Sequence, residues 1–238
     1  MSPHWHAAWQ AIVHHPLFGF AITLGAYQLA LAAYEKTRRV WLQPVLVSVL
    51  ILVGVLLACG IDYDEYRRGT TLLSLFLGPA TVALAVPLYL NLRRIRQLFW
   101  PIMLSLAVGG VLATASVALL AWAFGIERTL ALTLLPKSVT SPIAMLVAEQ
   151  IGGLAPLAAV FVLITGMLGA ILGPECLRRV GVVHPAAQGL ALGLSAHAVG
   201  TARALQEGDE CGAFAAMAMS LMGVATAVLL PLAVALIA

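Results

Sequence analysis

Apolar residues in this chain fall in runs of membrane-crossing length, separated by short polar intervals. A spanning helix needs about 20 mostly apolar residues. Six runs meet that pattern: 17–34, 44–60, 71–90, 99–124, 155–173 and 213–237. Two more, 129–151 and 187–206, are long enough to span but are broken by polar residues. The runs are continuous and do not alternate as barrel strands do, which predicts helices. The expectation is an all-α polytopic membrane protein, with about six firm transmembrane helices plus two discontinuous or re-entrant segments, forming one transmembrane domain over 1–238. The longest polar interval, DYDEYRRGT at 62–70, is too short for a soluble domain.

The broken runs carry the candidate chemistry. LLPKSVTSPIAMLVAEQIGG (134–153) places Lys137, hydroxyls and two prolines within apolar sequence. GLALGLSAHAVGTARAL (189–205) places His197 and Arg203 there. A charge at membrane depth costs about 2.5–3.5 kcal/mol even on lenient scales, so such residues usually face a cavity or a partner. The run 71–90 is also interrupted, by Pro79 and Pro87 around Thr81. Pro79-Ala-Thr-Val-Ala83 and Pro136-Lys-Ser-Val-Thr140 share the pattern P-x-[ST]-V-[AT]. Proline removes a backbone donor and crowds the preceding turn. Pro79, Pro87, Pro136 and Pro142 are therefore expected as helix breaks, and paired proline-interrupted segments point to a transport site.

Charge placement gives an orientation. Lys36, Arg38 and Arg39 follow the first run, Arg93, Arg94 and Arg96 the third, and Arg178 and Arg179 the run 155–173. All three clusters reach the cytoplasmic side only if 129–154 returns to the side it came from. A re-entrant hairpin is the favoured arrangement; a full crossing would put Arg178 and Arg179 outside.

Composition agrees. The 238 residues are 62% hydrophobic and 10% charged, against about 45–50% and 25% in soluble domains. The net charge of +3 sits in short clusters at run ends and does not suggest nucleic acid. Cys59, Cys176 and Cys211 have no motif spacing and suggest no disulfide. The amino-terminal stretch lacks a Lys/Arg region and a small-residue cleavage site, so a cleaved signal peptide is not expected. His4, His6, His14 and His15 fit no metal-site spacing, and an interfacial segment anchored by Trp5 and Trp9 is the simpler reading. No metal or cofactor is expected.

Lys137 directly follows Pro136, at the start of a possible half-helix whose free N–H groups suit an anion. Ser138, Thr140 and Ser141 add donors. The competing reading is a lysine snorkelling to headgroups. Ser195, His197, Thr201 and Arg203 form the second group. His197 and Thr201 share a helical face. Arginine pairs naturally with carboxylates, and histidine titrates near neutral pH. Against this, Arg203 also reads as a helix-end charge beside Glu207, Asp209 and Glu210, and His197 as a packing residue. Glu149 is placed to pair with Lys137 or Arg203, or to sit in the interface. No G-x-S-x-G or H-E-x-x-H motif supports a hydrolase.

LGPATVALAVPLY (77–89), LPKSVTSPIA (135–144), ITGMLGAILGP (164–174), GLALGLSAHAVGTARALQEGDECGAF (189–214) and LLPL (229–232) closely resemble the LrgB/CidB family of bacterial membrane proteins. The resemblance runs from about residue 15 to the end, with Ala196 where the family often has a small hydroxyl. It implies a multi-pass protein of the bacterial inner (cytoplasmic) membrane. It also implies one of two functions. The first is antiholin-like control of murein hydrolase activity and lysis with a small LrgA/CidA-like partner. The second is carriage of small carboxylates, as in the related plastidial glycolate/glycerate translocator and in bacterial pairs associated with pyruvate uptake. The residues favour the carrier. The expected substrate-binding set is Thr81, Lys137, Ser138, Thr140, Ser195, His197, Thr201 and Arg203, with the lipid bilayer, an LrgA/CidA-like protein and a second copy of the chain as partners.

Overall fold

The computed structural model describes residues 9, 11–15, 17–37, 39, 42–83 and 85–237. His4, His6, Trp5 and Arg38 lie outside them. The described residues are helices and connecting turns, with no strand among them. The all-α expectation holds. Three helices are by themselves long and apolar enough to cross a membrane: Phe99–Ala123, Ala155–Arg179 and Asp209–Leu236. They coincide with three of the six expected runs. The chain divides into two compact units, Met1–Ala83 and Leu84–Ala238.

In the first unit, α1 (Phe18–Thr37) packs on α2 (Pro44–Cys59), and α1 buries small residues four apart, Ala26 and Ala30, with Tyr34 on the same stripe. Gln43 caps α2, its Oε1 accepting from the Leu46 N–H at 2.9 Å, and Pro44 fits the first turn, where no donor is needed. Gly60 ends α2 at φ 66, a left-handed cap that other residues adopt only with strain. The chain then bends by 117° into α3 (Tyr63–Gly69), which α4 (Thr71–Ala83) follows.

Pro79 lies inside α4 and the helix continues through it, contrary to the break expected there. Pro87 lies in the first turn of α5 (Ala85–Leu90), three residues past position 84, which is outside the described residues. Pro136 does fall between helices, in the turn 135–140. The two P-x-[ST]-V-[AT] runs therefore do not share a conformation. The difference lies downstream. Pro142 follows Pro136 by six residues and occupies the first turn of α9 (Ser141–Gln150), where proline starts a helix and does not break it.

The second unit continues with α6 (Leu92–Gln97), α7 (Phe99–Ala123), α8 (Arg128–Leu134), α9, α10 (Ala155–Arg179), α11 (Pro185–Glu207) and α12 (Asp209–Ile237). Its core joins Ile95, Ile102 and Leu106 to Ala186, Phe214, Ala218 and Met222. Leu104, Val111, Leu119 and Val224 remain exposed on the long helices, as lipid-facing positions do.

Two segments between the long helices double back. In the first, 128–154, the Leu154 N–H donates to the Thr133 hydroxyl at 2.9 Å, and a Cβ on Gly153 would lie 2.9 Å from that oxygen. The seven residues of α8 rise only about 10 Å, so Leu154 returns to nearly the level of Arg128, far short of the ~30 Å of a crossing. In the second, α11 has non-helical backbone at Ala196 and His197. A Cβ on Gly200 would lie 2.4 Å from the Leu192 carbonyl oxygen, whereas eight residues of straight helix rise about 12 Å. Ala204 packs in one cluster with Leu192, Cys211 and Ala215. The arms 185–195 and 198–207 therefore fold against each other.

The hairpins enter from opposite ends of α10. The first joins the end of α7 to the start of α10, and the second joins the end of α10 to the start of α12. Arg94 ties the second end together, contacting Glu210 at 3.1 Å and His184 Nε2 at 2.9 Å. That end gathers Arg93, Arg94, Arg96, Arg178 and Arg179, and the other carries Glu127, Arg128 and Glu149. The favoured hairpin at 129–154 is what places all five arginines at one end.

Candidate functional site

The tips of both hairpins reach the middle of the long helices. Val139, in the first tip, packs with Ala144 against Val162 of α10. His197, in the second, places Nε2 3.0 Å from the carbonyl oxygen of the same Val162. A Cβ on Gly223, midway along α12, would lie 2.9 Å from Ile143. The Thr201 hydroxyl lies 3.7 Å from Met219 Sδ on that helix. Gly109, midway along α7, faces Leu194. The two tips therefore meet on shared neighbours at the centre of the unit.

The second arm of each hairpin begins at its tip. α9 starts just after Thr140, whose backbone is extended (φ −67, ψ 149), and the arm 198–207 starts just after His197. Each presents the N–H end of a helix to the centre, where the partial positive charge favours an anion. Lys137 adds a full charge. Its Nζ donates to Ser138 Oγ at 3.1 Å, in a partly buried position. It is close enough to act on the His197 ring through space. Among the described residues its hydrogen-bond partner is the neutral Ser138 hydroxyl, an arrangement that can accept an anion.

His197 holds the sharpest strain. It is the single non-glycine residue with positive φ among those described, at φ 43 and ψ −130. Such backbone costs about 1–3 kcal/mol and concentrates at functional positions. The ring is buried and sits where Gly166 has no side chain.

Other expected site residues are placed differently. Thr201 is buried and its hydroxyl donates to the His197 carbonyl at 2.8 Å, so it braces the tip. Ser195 is exposed and its hydroxyl donates to Ala191 O at 2.6 Å. Arg203 lies about two turns beyond His197 on the second arm. It bonds Gln206 at 3.0 Å and pairs with Glu207, one turn on, toward the base of its hairpin. The helix-end reading of Arg203 describes this placement. Thr81 belongs to the first unit, and its side chain lies outside those described. Glu149 is exposed where the first hairpin closes.

Sequence reasoning passed over Thr133, Val162 and Gly166. The signal for the last was the spacing of Gly166, Gly169 and Gly173, which face His197, Ala196 and Leu192 in turn. Among the described residues no group of three or more potential metal ligands occurs.

The profile of the LrgB-like family matches residues 23–236. YwbG of Bacillus subtilis (strain 168) is 38% identical over 86% of this chain and 91% of its own length. Proteins named antiholin-like protein LrgB in Bacillus mycoides (strain KBAB4) and Bacillus cereus (strain B4264) are each 31% identical over 91% of this chain and 95% of their own. No solved structure matches. With the family profile covering nine-tenths of the chain and relatives matching most of both lengths, the chain belongs to the LrgB family of membrane proteins.

Proposed function

We propose that the protein is a carrier of a small monocarboxylate, a 2-oxo or 2-hydroxy acid such as pyruvate or glycolate. It acts in the bacterial cytoplasmic membrane with an LrgA/CidA-like partner. The observation that carries this reading is the meeting of two opposed hairpin tips on Val162, with Lys137 beside them. Broken helices whose N-termini face the midplane are a recurring design for binding anionic cargo. Lys137 attracts the carboxylate, Ser138 and Thr140 offer hydroxyls, and His197 handles a coupled proton. Arg203 is left to its pairing with Glu207. Each hairpin is anchored at one end of α10, so each gates access from one side. The cluster of five arginines marks the cytoplasmic end.

A second reading, an antiholin-like regulator of murein hydrolase activity and lysis, is favoured by the names of the relatives. It has no evident use for a lysine held between two hairpin tips. Cells expressing the chain, with and without an LrgA-like partner, separate the two. The carrier reading predicts saturable uptake of labelled pyruvate or glycolate that Lys137→Ala abolishes. An altered autolysis rate without uptake, unchanged in Lys137→Ala, favours the regulator.

A further inference from the structure

We propose that Gly166 is a positioning residue for His197: it leaves the Val162 carbonyl open to the imidazole, fixes the tautomer, and so makes Nδ1 the one nitrogen at which the ring gains and loses a proton. The link from this proton to cargo rests on the carrier reading; the tautomer does not.

The geometry is specific to Gly166. A Cβ there would lie 2.6 Å from His197 Cε1 and 2.8 Å from Nε2, too close for the ring to stay. Without it, Nε2 reaches the Val162 carbonyl, one turn earlier on α10, at 3.0 Å. A carbonyl oxygen only accepts. Nε2 therefore carries hydrogen whether the ring is neutral or charged, and Nδ1 alone is left to titrate. The backbone enforces the same pose. His197 is held at φ 43 and ψ −130, and its own carbonyl is bound by the Thr201 hydroxyl at 2.8 Å. A fixed second hydrogen bond is how proteins choose which imidazole nitrogen works.

Lys137, from the first hairpin, acts on this ring through space, and the other ionisable residues of that hairpin, Arg128 and Glu149, lie at its base. The ionisable residues of α10 are Glu175, Cys176, Arg178 and Arg179, and those of α12 are Asp209, Glu210 and Cys211. All lie in the turns at the arginine-rich end, away from Val162, Gly166 and Met219. Arg203 and Glu207, on the same arm as Thr201, pair with each other toward the hairpin base. An arriving carboxylate therefore meets a ring that takes up and releases its proton at Nδ1 alone.

Nitrogen-15 NMR of the histidine-labelled protein in lipid tests this, with the His197 signals identified by their loss in His197→Gln. The expected result is a protonated, hydrogen-bonded Nε2 at every pH, with Nδ1 alone shifting as the ring titrates. Gly166→Ala is expected to lose the single tautomer and to change the pH profile of uptake. A wild-type Nε2 without hydrogen overturns the proposal and needs no variant, so a Gly166→Ala protein that fails to fold does not shelter it. Unchanged His197 signals in a folded Gly166→Ala protein also overturn it. The expected tautomer in a protein that takes up no carboxylate supports the positioning role and sinks the carrier reading instead.

Discussion

The Leu154 N–H donates to the Thr133 hydroxyl at 2.9 Å, so the chain returns at residue 154 to the helix from which it left. This bond fixes the topology of the unit. Positions flanking the hairpin must face the same side. In a protein with Cys59, Cys176 and Cys211 replaced by alanine, Glu127→Cys and Gln150→Cys are expected to react with an impermeant maleimide from one side, and Arg179→Cys from the other. Labelling of Gln150→Cys and Arg179→Cys from one side would contradict the hairpin.

Thr133 is fully buried and serves two bonds, accepting from Leu154 and donating to Thr129 O at 2.7 Å. Thr133→Val keeps the shape and leaves the Leu154 N–H without its partner. The expected cost is about 1–3 kcal/mol, read as a lowered unfolding midpoint in detergent. An unchanged midpoint would mean the bond does not hold the hairpin closed.

His197 offers a test of backbone strain. His197→Ala keeps the unfavourable φ, whereas His197→Gly relieves it while removing the same ring contacts. The glycine variant is expected to be the more stable of the two by about 1–3 kcal/mol. Equal stability would show that the backbone at 197 relaxes once the ring is gone.

The contact between the second hairpin and α12 is close because it lacks side chains. A Cβ on Gly193 would lie 2.1 Å from the Ala215 carbonyl oxygen, and one on Gly189 2.2 Å from that of Cys211. These are backbone atoms and cannot swing aside. Gly193→Ala is expected to cost about 1–3 kcal/mol or more and to lower the amount of folded protein. Gly54→Ala, where nothing lies within 4 Å, is the control expected to be silent.

The first hairpin was legible in the sequence because Arg178 and Arg179 join the other arginine clusters on one side only if 129–154 turns back, and Pro136 and Pro142 permit the turn. Its closing bond was not, since Thr133 looks like any helix threonine until Leu154 returns to it. The second break was legible as a region only. Gly193 and Gly200 serve close packing, and the strained residue is His197. Gly166 was visible as a spacing whose meaning depends on which element packs there. For Arg203 the sequence offered both a carboxylate partner and a helix-end charge, and its pairing with Glu207 at i+4 follows the second signal. Pro79 was read as a break because sequence does not separate a proline carried inside a membrane helix from one that ends it.

Arg203 in consequence has a structural prediction. Arg203→Gln removes its ion pair with Glu207 toward the hairpin base, at a cost of about 1 kcal/mol or less. Its apparent KM for cargo is expected to match that of wild type. A KM raised tenfold or more, at normal protein levels, would return Arg203 to the binding site.

The central claim is that the meeting of the two tips beside Lys137 is an anion site through which cargo passes. Purified protein in liposomes, alone and with an LrgA-like partner, tests it most directly through uptake of labelled pyruvate and glycolate. The account predicts saturable uptake that Lys137→Ala abolishes at equal incorporation. Full uptake by Lys137→Ala, or none by well-folded wild type under either condition, would contradict it.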